Sequence, residues 1–359
     1  MGEKKFIEGN EAVCVGAISA GCRAFFGYPI TPQNEVPEIF SRELPKAGGV
    51  FVQAESETAA INMLMGGSMT GYRVITSTSG PGFSLMQEGI SNISAFEIPA
   101  VIVEVSRMGP GQGTAQVGQT DYRIATKGGG HGGHRCIVLA PASVQEIADL
   151  IQLAFYLSDK YSIVAIVLMD AVLGRLAEPV DINTLDFGPL PEDKMKIRGK
   201  DARDGKPAEF EKRMFPWVPG GVVDFHQRQI EKYQAITAEE IRYQAYRTQD
   251  ADILIVAYGY VARSSRRAVD MARKEGIKAG LFRPITLWPF PAAAIRDAGV
   301  KAGRVLVAED SQGQLVEDVE SAMQGKAPVN LLGVWGRHIP APAGMIHPER
   351  ILEEVNALL

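Results

Sequence analysis

Four short stretches hold residue types able to do chemistry, each beside the end of a predicted strand. Gln53-Ala54-Glu55-Ser56-Glu57 sets two carboxylates around a hydroxyl. Ser56 suits the cap of a following helix, which puts Glu57 in the first turn, where an acid complements the helix dipole. A carboxylate at a strand end also suits a general base aimed at a ligand, and residues two apart in extended chain face the same side, so both acids stay in play. Tyr28-Pro29-Ile30-Thr31-Pro32 holds a hydroxyl between two prolines. Thr31 is therefore presented from a stiff turn, toward a ligand or as the cap of the next helix. Arg107 ends a strand and opens Met108-Gly109-Pro110-Gly111-Gln112-Gly113, a loop running on to Gln119-Thr120-Asp121. A guanidinium beside glycines that let backbone approach a ligand suits a carboxylate or phosphate, and equally an ordinary ion pair. Thr78-Ser79-Gly80-Pro81-Gly82 is the fourth; it lacks the glycine two residues before the serine that a nucleophile elbow needs.

Other patterns carry less. Gly109, Gly111 and Gly113 do not complete G-x-G-x-x-G, and there is no Walker A sequence. His131 and His134 sit three apart in a glycine run without an accompanying carboxylate or thiolate, so no metal is expected on this chain.

The scaffold for these stretches reads as parallel sheet. β-rich runs at 24–28, 49–53, 73–76, 100–105, 136–139 and 162–169 alternate with helix-length segments at 10–22, 56–69, 83–95 and 143–157. Asn10 and Ser143 are expected as N-caps, the latter in a capping box with Glu146. Residues 66–134 hold 15 of the 38 glycines, which marks this half as the one approached by a ligand. Glu192 to Arg213 carries 14 charged residues in 22, the composition of a solvated excursion. Strand runs resume at 252–258, 279–282, 304–308 and 330–334, with a last helix from Pro348 to Leu358. The expected organisation is a first α/β domain at 1–175, a charged linker at 176–249 and a second α/β domain at 250–359.

Composition narrows the function classes. A formal charge of −5 argues against non-specific nucleic-acid binding, which depends on phosphate neutralisation. The longest apolar run, Ile163 to Met169, is far too short to span a membrane, and the N-terminus has no apolar targeting region; a cytoplasmic protein is expected. Cys14, Cys22 and Cys136 are too few and too scattered for a cluster held by four cysteines or for a disulfide framework, and are expected as buried thiols.

Taken together, Gly27-Tyr28-Pro29-Ile30-Thr31-Pro32, Gln53 to Glu57, Thr78 to Gly82, the Arg107–Asp121 loop and Arg283-Pro284-Ile285-Thr286-Leu287-Trp288-Pro289-Phe290 resemble the α subunit of a 2-oxoacid:ferredoxin oxidoreductase. The resemblance spans nearly the whole chain and lies nearest the 2-oxoisovalerate type, with Met108 departing from the Arg-Gly-Gly-Pro of the wider family. It implies a pyrimidine-type, thiamine diphosphate-binding parallel-sheet domain followed by a transketolase C-terminal-like domain that packs and assembles subunits. It implies CoA-dependent oxidative decarboxylation of a 2-oxoacid, branched-chain or 2-oxoglutarate, with electrons passing to iron–sulfur clusters and ferredoxin. Glu57 matches the glutamate that holds the aminopyrimidine ring nitrogen and favours the imino tautomer. Thr31 and Arg107 match residues facing the substrate carboxylate and keto oxygen, and Pro29, Ser79 and Gly82 fall in the cofactor-binding motifs. No Gly-Asp-Gly occurs here, so magnesium, the diphosphate half of the site and the 4Fe-4S clusters are expected on partner subunits: a β subunit, a γ subunit and a ferredoxin-like δ subunit. Two other readings remain: half of a thiamine enzyme that does not reduce ferredoxin, and a non-catalytic assembly subunit.

Overall fold

The computed structural model describes residues 4–190, 220–334 and 345–359. The charge-rich stretch Glu192 to Arg213 lies outside them. The first unit contains β1 (Lys4–Glu8), α1 (Gly9–Ser19), β2 (Ala24–Gly27), α2 (Glu35–Glu43), β3 (Val50–Gln53), α3 (Glu57–Met69), β4 (Val74–Thr78) and α4 (Pro81–Ala95). It continues with β5 (Ala100–Ser106), α5 (Tyr122–Lys127), β6 (Ile137–Leu139), α6 (Val144–Tyr161), β7 (Val164–Asp170), α7 (Ala171–Arg175) and β8 (Ala177–Asp181). After it come α8 (Gly221–Glu239), β9 (Tyr243–Tyr246), β10 (Ile253–Val256), α9 (Gly259–Lys274), β11 (Ala279–Pro284), β12 (Thr286–Trp288), α10 (Ala292–Ala302), β13 (Val305–Ala308), α11 (Leu315–Met323), β14 (Val329–Leu332) and α12 (Pro348–Leu358).

Strands β5 and β7 are buried along their whole length and pair in parallel over seven positions, Ala100 with Val164 through Ser106 with Asp170. Their sequences are apolar without alternation because both faces of the sheet are covered. Val101, Val103 and Val105 pack with α1 and α6 on one side; Ile102, Ile166 and Leu168 pack with α3 and α4 on the other. Cutting one such side chain back to alanine costs about 2–5 kcal/mol. Cys14, Cys22 and Cys136 are buried free thiols, each pushed up to about 12 chiefly by burial.

The first sheet has the order β12-β6-β7-β5-β4-β2-β3, parallel except for β12. The chain runs from β2 outward to β3 and then returns to the opposite side of β2 with β4, which opens a crevice beyond the carboxyl ends of β2 and β4. The second sheet has the order β14-β13-β10-β11-β9 and is parallel except for β9.

Three local expectations are corrected. Asn10 does not cap α1, which starts at Gly9; it is buried and donates to Pro32 O at 3.1 Å and Glu35 Oε2 at 2.8 Å, tying α1 to the proline loop. Ser143 caps α6 through Glu146 N, but the Glu146 carboxylate reaches Ala142 N–H, and Arg283 holds it by two hydrogen bonds of 2.7 and 2.8 Å. Within 176–249, set aside as linker, β8 pairs with β1, α8 packs by Ile236, and β9 joins the second sheet. β12 leaves the second unit to pair with β6, so the two units share a sheet edge.

Candidate functional site

The crevice between β2 and β4 gathers the motifs. Ser56 adopts extended backbone (φ −163°) and its Oγ accepts from Ala59 N at 3.2 Å, starting α3 at Glu57. That one-residue change from strand to helix gives the two acids different surroundings. Glu55 is exposed, whereas Glu57 is only 5% exposed and, among the described residues, makes no hydrogen bond or ion pair. The side chain is largely packed away, while its carboxylate oxygens stay free to meet water or a ligand. Gly82, at the start of α4, lies against it: a Cβ there would overlap Glu57 Oε1 and Thr78 Oγ1. Only glycine permits this approach.

Buried hydroxyls on and just after β4 are unmet as well. Among the described residues, Thr78 Oγ1, Ser79 Oγ and Thr76 Oγ1 have no partner, nor does Arg107 Nε. So many unsatisfied polar atoms at one strand-end crevice are what a bound ring with polar edges would satisfy, and the donor and acceptor set fits an aminopyrimidine.

Thr31 is exposed and does not cap α2, which begins at Glu35 after Asn34. Its carbonyl instead accepts from Arg107 Nη1 at 2.7 Å, while Arg107 Nη2 donates to Gln112 O at 2.6 Å. Gln33 anchors the proline loop by accepting from Ser77 Oγ at 2.5 Å. Pro29 is exposed on the same loop. The structure thus joins Thr31 to Arg107 through the Thr31 carbonyl, and Gly82 to Glu57 by close approach, while the cavity beside Arg107 is lined by Gly80 and Pro81 and not by Glu57.

Behind Arg107 lie two acids that the motif reading passed over or left without a role. Glu104 is fully buried on β5 and accepts from Gly80 N at 2.7 Å; burial and then the neighbouring Asp121 hold its carboxyl well above the usual range. Asp121 accepts from Ser106 Oγ at 2.7 Å and Arg107 N at 3.3 Å, and burial raises it too. An acid inside the apolar run Ala100–Ser106 was the available signal for Glu104. A cavity of about 340 Å³ opens beside Arg107, walled by Pro81, Met108, Ile124, Gln112, Gln312 and Gln314 among others. Gln312 and Gln314 come from the second unit, and nothing in their local sequence pointed to the site. Among the described residues, no group of three or more His, Cys, Asp or Glu side chains is placed to hold a metal ion.

Residues 15–248 match the family described as pyruvate flavodoxin/ferredoxin oxidoreductase, thiamine diphosphate-binding, and residues 251–343 match pyruvate:ferredoxin oxidoreductase core domain II. The class is thus a thiamine diphosphate-binding α/β domain joined to a second α/β domain. The chain belongs to the pyruvate:ferredoxin oxidoreductase family. It is 44% identical over 341 residues to the ketoisovalerate oxidoreductase subunit VorB of Methanothermobacter marburgensis, covering 93% of this chain and 94% of that one. It is 35% identical over 390 residues to the 2-oxoglutarate synthase subunit KorA of the same organism, covering all of both. Among solved structures, the 2-oxoglutarate:ferredoxin oxidoreductase from Magnetococcus marinus, with 2-oxoglutarate, coenzyme A and succinyl-CoA bound, superposes with a TM-score of 0.85 at 27% identity. That match covers 99% of this chain, which spans 65% of the length of the solved one. No described helix is long and apolar enough to cross a membrane.

Proposed function

We propose that this chain is the α subunit of a multi-subunit 2-oxoacid:ferredoxin oxidoreductase that converts a 2-oxoacid and coenzyme A to acyl-CoA and carbon dioxide, passing the electrons to ferredoxin. The observation that carries the reading is Glu57: a glutamate only 5% exposed whose carboxylate has no partner among the described residues, at a strand-end crevice, in a chain of this family. When bound, thiamine diphosphate supplies the carbon nucleophile and the electron sink for the decarboxylation. Glu57 would hold a proton at a ring nitrogen of the aminopyrimidine, with Gly82 giving the ring room and Ser79 and the Pro29 loop lining its edge. Arg107 and the Thr31 hydroxyl would orient the substrate carboxylate and keto oxygen. Overall, R–CO–COO⁻ and CoA–SH become R–CO–S–CoA, carbon dioxide and a proton, and two electrons leave singly for iron–sulfur clusters.

The rest of the site belongs to partners in this reading. The chain lacks Gly-Asp-Gly and its three cysteines are buried, so the diphosphate half, magnesium and the clusters are assigned to β, γ and ferredoxin-like δ subunits. The cytoplasm is the proposed compartment. Among the described residues lining the cavity beside Arg107, that arginine is the one cation. A second carboxylate on the substrate would therefore find no countercharge on this wall, which favours a branched-chain 2-oxoacid over 2-oxoglutarate.

The test is reduction of ferredoxin or viologen by the chain assembled with its partner subunits, with coenzyme A and 2-oxoisovalerate or 2-oxoglutarate supplied. Reduction dependent on both substrates is expected, faster with 2-oxoisovalerate. Carbon dioxide release without reduction would overturn the oxidoreductase reading, and faster turnover of 2-oxoglutarate would overturn the substrate preference.

A further inference from the structure

The second unit has a switch point of its own. β11 lies on one side of β10 and β13 on the other, so the loops following β10 and β13 diverge and leave a crevice at the strand ends. In an open α/β sheet that crevice is where a ligand sits. Here a residue of the first unit fills it. Gln119 is fully buried; its Nε2 donates to Tyr258 O at 3.1 Å and its Oε1 accepts from Asp310 N at 3.0 Å. Its backbone N donates to Asp310 O at 2.7 Å, and the Tyr258 hydroxyl donates to its carbonyl at 3.4 Å. Gly259, at φ 59°, leaves the room: a Cβ there would come 2.7 Å from Gln119 Nε2 and overlap Asp170 Oδ2.

One residue further on, Gln314 Nε2 donates to Thr120 O at 2.7 Å, and Gln314 Oε1 accepts from Arg123 N at 2.8 Å. Gln314 is itself fixed by Glu309, which accepts from Gln314 N at 2.9 Å, Leu315 N at 3.0 Å and Val316 N at 2.9 Å, capping α11. On the far side, Thr120 Oγ1 donates to Arg107 O at 2.6 Å and accepts from Gly109 N at 3.0 Å. An unbroken series of hydrogen bonds therefore runs from Glu309 in the second unit to Arg107 and Gly109 at the start of the Arg107 loop.

We propose that the strand-end crevice of the second unit is a socket for the Arg107 loop, with Gln119 as its plug and Gln314 as the positioning residue that sets where Arg107 points. The inference rests on the reading that Arg107 faces the 2-oxoacid. It gives the second unit a part in substrate binding, beyond packing and assembly.

Two variants of the full chain, alone and in the assembled complex, test it. Gln314→Leu removes the amide while keeping most of the volume. Glu317→Ala breaks the exposed Arg123–Glu317 ion pair across the same boundary without touching Thr120. In Gln314→Leu, amide exchange across 107–121 should accelerate and KM for the 2-oxoacid should rise roughly ten-fold, the effect of losing the partly buried bond to Thr120, with KM for coenzyme A unchanged. Glu317→Ala should leave all three as in the wild type. Unchanged exchange and KM in Gln314→Leu, or an equal rise in Glu317→Ala, would overturn the socket. Exchange on the single chain depends on no reaction: faster loop exchange in Gln314→Leu, in a complex that oxidises no 2-oxoacid, would leave the socket standing and remove the proposed function.

Discussion

Two buried glutamates sit at helix N-termini in the two units and could hardly differ more in company. Glu309 is fully buried, and its carboxylate accepts from Ser311 Oγ at 2.6 Å and from the backbone N–H groups of Gln314, Leu315 and Val316 at the start of α11. Glu57, 5% exposed at the head of α3, has no hydrogen-bond or ion-pair partner among the described residues. Burial and helix position are shared, so neither separates a structural acid from one held ready for a ligand. The count of satisfied lone pairs does. The first carboxylate is complete within the chain; the second has no partner in the described part of it.

That contrast breaks first at Glu57. Glu57→Gln is nearly isosteric and removes no internal hydrogen bond, so the complex should assemble normally while turnover falls by about 10²–10⁴. Exchange of the thiazolium C2 proton, followed by quench-flow NMR on the assembled complex, should slow with it. Wild-type exchange in this variant would hand the role to another acid.

Glu309→Gln should do the reverse. An amide nitrogen turned toward the N–H groups of α11 leaves at least one donor unmet, at about 1–3 kcal/mol each. The unfolding midpoint should drop by about 2–4 °C per kcal/mol. An unchanged midpoint would mean that water replaces the cap and that the contrast is shallower than drawn.

The acids at the boundary between the units extend the comparison to pH. Asp170 accepts from Tyr260 N at 2.8 Å and Asp310 from the Tyr260 hydroxyl at 2.6 Å, yet burial pushes each up to about 6. Because the folded chain then holds these protons more tightly than the unfolded chain, their contribution is greatest below about pH 4 and is lost as pH rises through 6. Asp310→Asn should flatten the change in unfolding midpoint between pH 5 and pH 7.5. An identical change in the variant would remove Asp310 from the account. The smallest effect is expected at Glu55, exposed two residues from Glu57: Glu55→Gln should shift stability by no more than about 0.5 kcal/mol and leave kcat as it is.

Much of this architecture was legible from residue types because strands covered on both faces announce themselves as apolar runs. The parallel strands from Ala24–Gly27 to Val164–Asp170 lie where those runs do, and α12 spans Pro348–Leu358 as expected. β9 and β12 were missed because they are short and their exposure is mixed, so nothing separates them from loop until a partner strand is in place. Thr31, Ser79, Gly82 and Arg107 could be collected because each ends or follows a strand at one edge. The choice of Glu57 over Glu55 needed the helix to begin, since alternation in extended chain treats them alike. Glu104 looked like one acid in a strand, and Gln119 and Gln314 like two polar residues in loops. Their significance is relational: each matters for what lies across 24 to nearly 200 residues of chain, and no local pattern encodes that.

The small strand β12 has a consequence for the order in which the molecule is made. Until Thr286–Trp288 is synthesised, β6 presents an unpaired edge of a nearly finished parallel sheet, the kind of template on which nascent chains stick to one another. β12 closes it with a reversed strand whose next residue, Pro289, has no N–H with which to carry the ladder further. The amino-terminal unit therefore leaves the ribosome with its β6 flank open, and the cover for that flank arrives more than a hundred residues later, from the carboxyl-terminal unit.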